Sequence, residues 1–162
     1  MRTLSNIFIF SLSILLFGCF SPDAKKGPCD LIFVRFEIEK QPFESNIVLV
    51  SDSLLPHYTL QAYQCDDLNN FLWLDLPKPL QIGSYPITES NASHVNQSQS
   101  CRGLLNYDGE IYTTDSTLIG GLNILSWNES QKIMHAVLHF KARSGDNVVE
   151  VTEGEITNIQ FQ

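Results

Sequence analysis

From Leu31 to the C-terminus, apolar and polar residues alternate with a period of two, and no window sustains the 3.6-residue period of an amphipathic helix. A strand turns successive side chains to opposite faces, so this pattern can bury its apolar half only in a sheet. Ile32, Val34, Phe36 and Ile38 share one face of the first such segment; Phe33, Arg35, Glu37 and Glu39 share the other. Further strands are expected over residues 47–50, 58–63, 71–76, 122–127, 133–143, 148–152 and 156–161, with 83–88 as a short edge strand. Breaks come from Ser51-Asp52-Ser53, Pro77 with Pro79, Asn128-Glu129-Ser130-Gln131, Ser144-Gly145-Asp146-Asn147 and Glu153-Gly154-Glu155; residues 89–100 read as a long solvated loop. The expected fold is all-β: a two-sheet antiparallel β-sandwich of about eight to ten strands, with a closed up-and-down β-barrel as the alternative.

The N-terminus follows a different rule. Behind Arg2, residues 7–17 form an uncharged apolar run. A bilayer-spanning helix needs about 20 apolar residues, so the run is too short to cross and fits the apolar region of a secretory signal. The tetrapeptide Leu16-Phe17-Gly18-Cys19 resembles the lipobox of bacterial lipoproteins. That resemblance implies cleavage after Gly18 and lipid on Cys19, the first residue of the mature chain. Residues 1–18 are then a lipoprotein signal peptide, 19–30 a lipidated cysteine and flexible linker broken by Pro22, Gly27 and Pro28, and 31–162 one β-sandwich domain. Each buried methylene contributes about 0.8 kcal/mol, so the two or more acyl chains of such an anchor hold durably. The membrane is thus the expected partner and the outer membrane of the cell envelope the expected location. The residues after Cys19 lack the acidic export tract of surface-exposed lipoproteins, which favours the periplasmic face.

Charge narrows the other partners. Residues 1–18 carry one basic residue, Arg2, so without them the formal charge of −8 becomes −9. Such a surface repels phosphate backbones, and nucleic acid is not expected to bind. Beyond Cys19 the cysteines are Cys29, Cys65 and Cys101, which in an oxidising compartment suggests one disulfide and one thiol left over. Cys65 with Cys101 is the expected pair, because both lie inside the domain while Cys29 stands at the linker edge. Closing that loop would stabilise by roughly 3–4 kcal/mol in the chain-entropy model. No two cysteines have the short spacing of a zinc site, so neither a metal nor another cofactor is expected.

Catalytic candidates are weak. His135 and His139 would share one turn of a helix, but on the expected strand they stand about 13 Å apart, too far for one ion. With Lys141 and Arg143 they read as a solvated outer face. His57 and His94 fall in separate loops without partners. Asp146, Glu150, Glu153 and Glu155 lack the spacing of a calcium loop and read as a solvated strand face, while Asp66-Asp67 and Asp108-Gly109-Glu110 read as turns. The chain has no Gly-x-Ser-x-Gly elbow and no glycine-rich phosphate loop, and no catalytic residue is assigned. Trp73 and Trp127, with Tyr58, Tyr63, Tyr107 and Tyr112, would make a sugar-stacking platform if several faced outward; such aromatics more often fill a core.

Gly120-Gly121-Leu122-Asn123-Ile124, the strand at 133–142, and Thr152-Glu153-Gly154-Glu155-Ile156-Thr157-Asn158-Ile159 resemble a family of uncharacterised Bacteroidota lipoproteins. In that family a G-x-I-x-I strand precedes a hairpin ending in T-x-G-x-F-T-N-I, and residues 76–88 resemble its middle region. Ile156 replaces the usual aromatic, and the glycine of the core strand is absent around Met134-His135. The resemblance implies a lipobox-anchored, all-β domain of unknown function, and no catalytic residues. Asp52-Ser53-Leu54 and Asp115-Ser116-Thr117 resemble sites at which some Bacteroidota O-glycosylate exported proteins, which makes Ser53 and Ser116 candidates. The Asn-x-Ser triplets at Asn91, Asn96 and Asn128 matter only in hosts with that machinery. The functional expectation is a non-enzymatic binding or envelope-structural module. A surface glycan- or peptide-binding accessory lipoprotein is the alternative, and a hydrolase the least favoured class.

Overall fold

A computed structural model describes residues 31–51, 57–88, 100–114, 117–118 and 120–161. The described residues hold eleven strands: β1 (Val34–Ile38), β2 (Gln41–Ser45), β3 (Ile47–Ser51), β4 (His57–Tyr63), β5 (Phe71–Pro77), β6 (Gly83–Thr88), β7 (Cys101–Tyr107), β8 (Glu110–Thr114), β9 (Gly121–Asn128), β10 (Ile133–Ser144) and β11 (Asn147–Gln160). The all-β expectation holds. All eleven strands join one mixed sheet in the order β2-β1-β11-β10-β9-β6-β7-β5-β4-β3, with β8 paired to both β7 and β10. Every pairing is antiparallel except β6 with β7.

The two ends of that order are joined by a single residue. β2 and β3 lie at opposite margins of the sheet, yet only Asn46 separates them in the chain. The first half of this segment therefore pairs with β1 and the second half with β4. The sheet has to bend round to satisfy both. Backbone bonds fasten the meeting point: Phe33 N–H donates to the Ser45 carbonyl and Cys65 N–H to the Glu44 carbonyl, each at 2.9 Å. The buried Ser45 hydroxyl donates across the bend to the Ile47 carbonyl at 2.9 Å. A second bridge is β8, whose Thr114 is buried. Its hydroxyl accepts from Gly103 N–H at 3.1 Å and donates to the Thr88 carbonyl at 2.5 Å, tying β8, β7 and β6 together.

Each strand sends alternate side chains into one core. Leu60, Leu72, Leu74, Leu76, Ile124, Met134, Val151 and Ile156 belong to it, and Phe36 stacks on Phe43 with ring centres 4.2 Å apart. Phe161 lies edge-on between Tyr58 and Trp127, with ring centres at 5.1 and 5.5 Å, so the C-terminus closes one end of the core. Fully burying one large aliphatic side chain stabilises by about 1.5–3 kcal/mol, and this one core carries most of the driving force.

Three expectations about elements change. The segment at 83–88 is interior: Gly83 to Pro86 pair with β9, and Ile87 and Thr88 pair with β7. Pro86, which has no N–H, sits where one pairing ends and the other begins. The break at 153–155 is a bulge within continuous β11, with register shifts along both neighbours and positive φ at Glu153 (51°). β2, β7 and β8 add strands that the alternation does not announce.

Gly154 explains why the bulge closes. A Cβ there would lie 2.5 Å from the Leu138 carbonyl oxygen and 2.6 Å from Leu138 Cγ. The β1–β2 turn has the opposite fault: both central residues, Glu39 (φ 51°) and Lys40 (φ 71°), adopt the left-handed conformation without being glycine or asparagine. Two substitutions should therefore move stability in opposite directions. Gly154→Ala is expected to destabilise by about 2 kcal/mol through overpacking, and Lys40→Gly to stabilise by about 1 kcal/mol by relieving the left-handed penalty. Urea unfolding of the two variants against the parent checks both signs.

Candidate functional site

The sheet's outward side over β3, β4, β5, β7 and β8 is ordered in rows set by strand register. Ser51, Thr59, Asp75 and Arg102 face one another on successive strands. Leu49, Gln61, Trp73, Leu104 and Thr113 form the next row, followed by Ile47, Tyr63, Phe71, Asn106 and Ile111. Ile47, Leu49, Trp73 and Ile111 are all exposed. These four side chains leave apolar surface in solvent on the outer side of the sheet.

Its most organised point is Asp75. Trp73 Nε1–H donates to Asp75 Oδ1 at 3.0 Å, the Thr59 hydroxyl donates to the same oxygen at 3.2 Å, and His57 Nε2 lies 3.5 Å from it. The spacing of two residues puts Trp73 and Asp75 on the same face of β5, and register brings Thr59 opposite Asp75. The indole is consequently held over the sheet while 38% of the residue stays in solvent. Beside it lies a shallow depression of about 220 Å³ lined by Trp73, Asp75, Arg102, Gly103 and Leu104. His57, expected in a loop, is the first residue of β4 and belongs to this cluster.

The two tryptophans have separate fates. Trp127 leans on Phe161 and packs against the core, and Tyr58 and Tyr112 are buried. Tyr63 remains outside, its hydroxyl donating to Gln61 Oε1 at 2.8 Å and its ring 5.7 Å from that of Phe71. Of the six aromatics that sequence offered for an outward platform, Trp73 and Tyr63 face outward, whereas Trp127, Tyr58, Tyr107 and Tyr112 lie in or against the core.

On the opposite side, His135 and His139 stand on the outer face of β10, as the alternation requires. His135 Nε2 is 3.5 Å from Glu155 Oε1, and the same carboxylate accepts from Arg35 Nε at 2.7 Å. Glu150 lies 3.7 Å from Lys141. The acidic residues of β11 therefore belong to a solvated strand face, where such pairs contribute little. Among the described residues no group of three or more His, Cys, Asp or Glu side chains could hold a metal ion. No helix among them is long and apolar enough to cross a membrane.

The expected pairing of Cys65 with Cys101 is corrected. Cys101 is a free, buried thiol, and Cys65 is half of a disulfide whose other sulfur lies outside the described residues. Register gives the reason. Cys65 follows Tyr63, which faces Phe71 at the start of β5, while Cys101 precedes Arg102, which faces Asp75 near its end. At about 3.3 Å per residue this sets them on the order of 20 Å apart, whereas bridged Cα atoms lie within about 7 Å. Cys65 Sγ, with no proton to donate, rests 3.5 Å from Asn46 Oδ1. The lipid-attachment candidate Cys19, the glycosylation candidates Ser53 and Ser116, and His94, Asn91 and Asn96 lie outside the described residues.

Compared with family models, curated proteins and solved structures, the chain finds no match.

Burial pushes the Cys101 thiol pKa up, with the nearby Asp75 carboxylate adding to the effect. A thiol kept protonated and out of solvent does not react. Iodoacetamide is accordingly expected to leave Cys101 unmodified in the native protein and to label it once the chain unfolds, read by peptide mass spectrometry. Native-state labelling at the rate of free cysteine would contradict the burial described.

Proposed function

We propose that the chain is a lipid-anchored, non-enzymatic binding module of the bacterial cell envelope. Cys19 tethers it to the outer membrane, facing the periplasm, and the ligand is engaged by the outward side of β4, β5 and β7. The reading of Cys19 rests on the tetrapeptide ending there and on the short apolar run before it. The disulfide at Cys65 accords with an exported chain, since such bonds persist mainly outside the cytoplasm. Membership of the Bacteroidota lipoprotein family remains part of the same proposal, carried by the motifs around Gly121 and Gly154. For the architecture we infer a flattened barrel, intermediate between the sandwich and the closed barrel, in which the segment through Asn46 bridges the two margins of the sheet.

The observation that carries the binding role is the convergence of Trp73, Thr59 and His57 on one oxygen of Asp75. A carboxylate with one oxygen committed to donors from its own chain fixes a surface in place, and a preformed surface loses little entropy on binding. That suits recognition better than proton transfer, which needs a group free to exchange its proton with a substrate.

Two measurements test the anchor and the face. Growth with an alkyne fatty acid is expected to label the wild-type chain and leave Cys19→Ala unlabelled; equal labelling of both sinks the anchor. Hydroxyl-radical footprinting of the lipidated protein in micelles reads the face, with exposed Val137 on β10 as internal control. Native envelope fragments are expected to lower oxidation of Trp73 severalfold relative to Val137. An unchanged ratio removes the binding face.

A further inference from the structure

We propose that the depression beside Trp73 is a subsite for a neutral glycan, the indole stacking on a sugar ring while Asp75 and Arg102 address its hydroxyls. The proposal rests on the binding-module reading and names the class of ligand for that same face. Four properties of the site point to it.

The first is what Trp73 has left to offer. Its N–H is spent on Asp75, so the exposed part of the side chain presents a π-face and no unsatisfied donor. The face of an aromatic ring is its negative side, and it is matched by the polarised C–H groups along one side of a sugar ring. An indole present only for core packing would have no need of this arrangement, because Trp73 points away from the core residues Leu72 and Leu74 on the same strand.

The second is the polar row beside the plate. Asp75 and Arg102 face each other across adjacent strands, about 4.8 Å apart at the backbone. An acceptor and a donor side by side match neighbouring hydroxyls, each of which can donate and accept. The third is shape. At about 220 Å³ and open to solvent, the site is smaller than the enclosed pockets of roughly 300–1,000 Å³ that engulf small molecules. It suits one or two rings of a longer chain lying across the sheet. The fourth is charge. The lining holds one carboxylate and one guanidinium, and the whole chain carries −8. This field repels an anionic polymer and leaves an uncharged one free to approach.

The test uses the full lipidated chain in a detergent without a sugar headgroup. Trp127→Phe in the background makes Trp73 the sole reporter of tryptophan fluorescence. The probes are laminarin, mannan, dextran and chitohexaose. At least one is expected to shift the emission saturably, about tenfold more weakly after Asp75→Ala or Arg102→Gln. Trp73→Ala, followed by calorimetry, is expected to lose binding by about tenfold or more, and Trp73→Tyr to retain part of it. Val137→Ala, exposed on β10 on the opposite side of the sheet, should bind as the parent does and guards against a general loss of structure.

Footprinting separates the glycan assignment from the broader reading. Envelope fragments treated with periodate, which cleaves the vicinal diols of dextran- and mannan-type chains, are expected to lose their protection of Trp73. Where laminarin or chitohexaose is the responding probe, whose inner rings have no vicinal diol, the protection is expected to survive periodate. Protection that survives periodate, with no response to any glycan probe, overturns the glycan while leaving the binding face. Protection absent from treated and untreated fragments alike overturns both. Binding that is indifferent to Trp73→Ala overturns the subsite.

Discussion

Asn46 stands between two strands that belong to opposite margins of the same sheet, and the rest of the architecture follows from that connection. A flat ribbon of this order would hold β2 and β3 many strand widths apart, at about 4.8 Å per strand. One residue cannot span such a gap, so the sheet must curl enough to bring β2 and β3 together at Asn46. Curling turns one face of every strand inward and gathers the core into a single cluster. It also couples two seams. A one-residue slip of β2 on β1 would drag β3 along β4, and a slip of one residue turns every side chain to the wrong face. Each ladder therefore checks the register of the other.

The candidate site inherits its precision from that register. Trp73, Asp75 and Thr59 lie on β4 and β5, which pair without interruption from His57 with Pro77 to Tyr63 with Phe71. No bulge loosens this ladder, in contrast to β10 and β11, where register shifts re-aim side chains. The indole is thus positioned by backbone hydrogen bonds on both sides and by its own bond to Asp75. Placement on strands rather than loops is what lets a shallow, open surface be specific.

Much of the fold was legible in sequence because the core demands alternation. Strands β4, β5 and β10 show it plainly, with inward Leu60, Leu74 and Phe140 separated by polar neighbours. The strands that escaped notice are those whose inward positions are not large and apolar. β7 turns Cys101, Gly103 and Leu105 inward, and the glycine is required because a Cβ would meet Thr114 Cγ2 at 2.9 Å. β2 has Phe43 as its one large buried apolar residue and carries Pro42. The site was half legible. Trp73 was a candidate among six aromatics, but Asp75 and Thr59 carry no motif, and only the pairing of β4 with β5 brings them to the indole. The Cys65 pairing failed for the same reason, since separation along a strand cannot be read before the strands are ordered.

One consequence concerns the margin at β3. Ile47 and Leu49 are exposed there, and an apolar outermost strand is a template on which further chains can add. No lysine or proline interrupts the segment Ile47–Ser51. What opposes accretion is the surplus of acidic groups over the whole molecule, a long-range repulsion that weakens as the Debye length shortens. Colloidal behaviour is thereby tied to ionic strength: dilute electrolyte keeps copies apart, and concentrated salt weakens that repulsion.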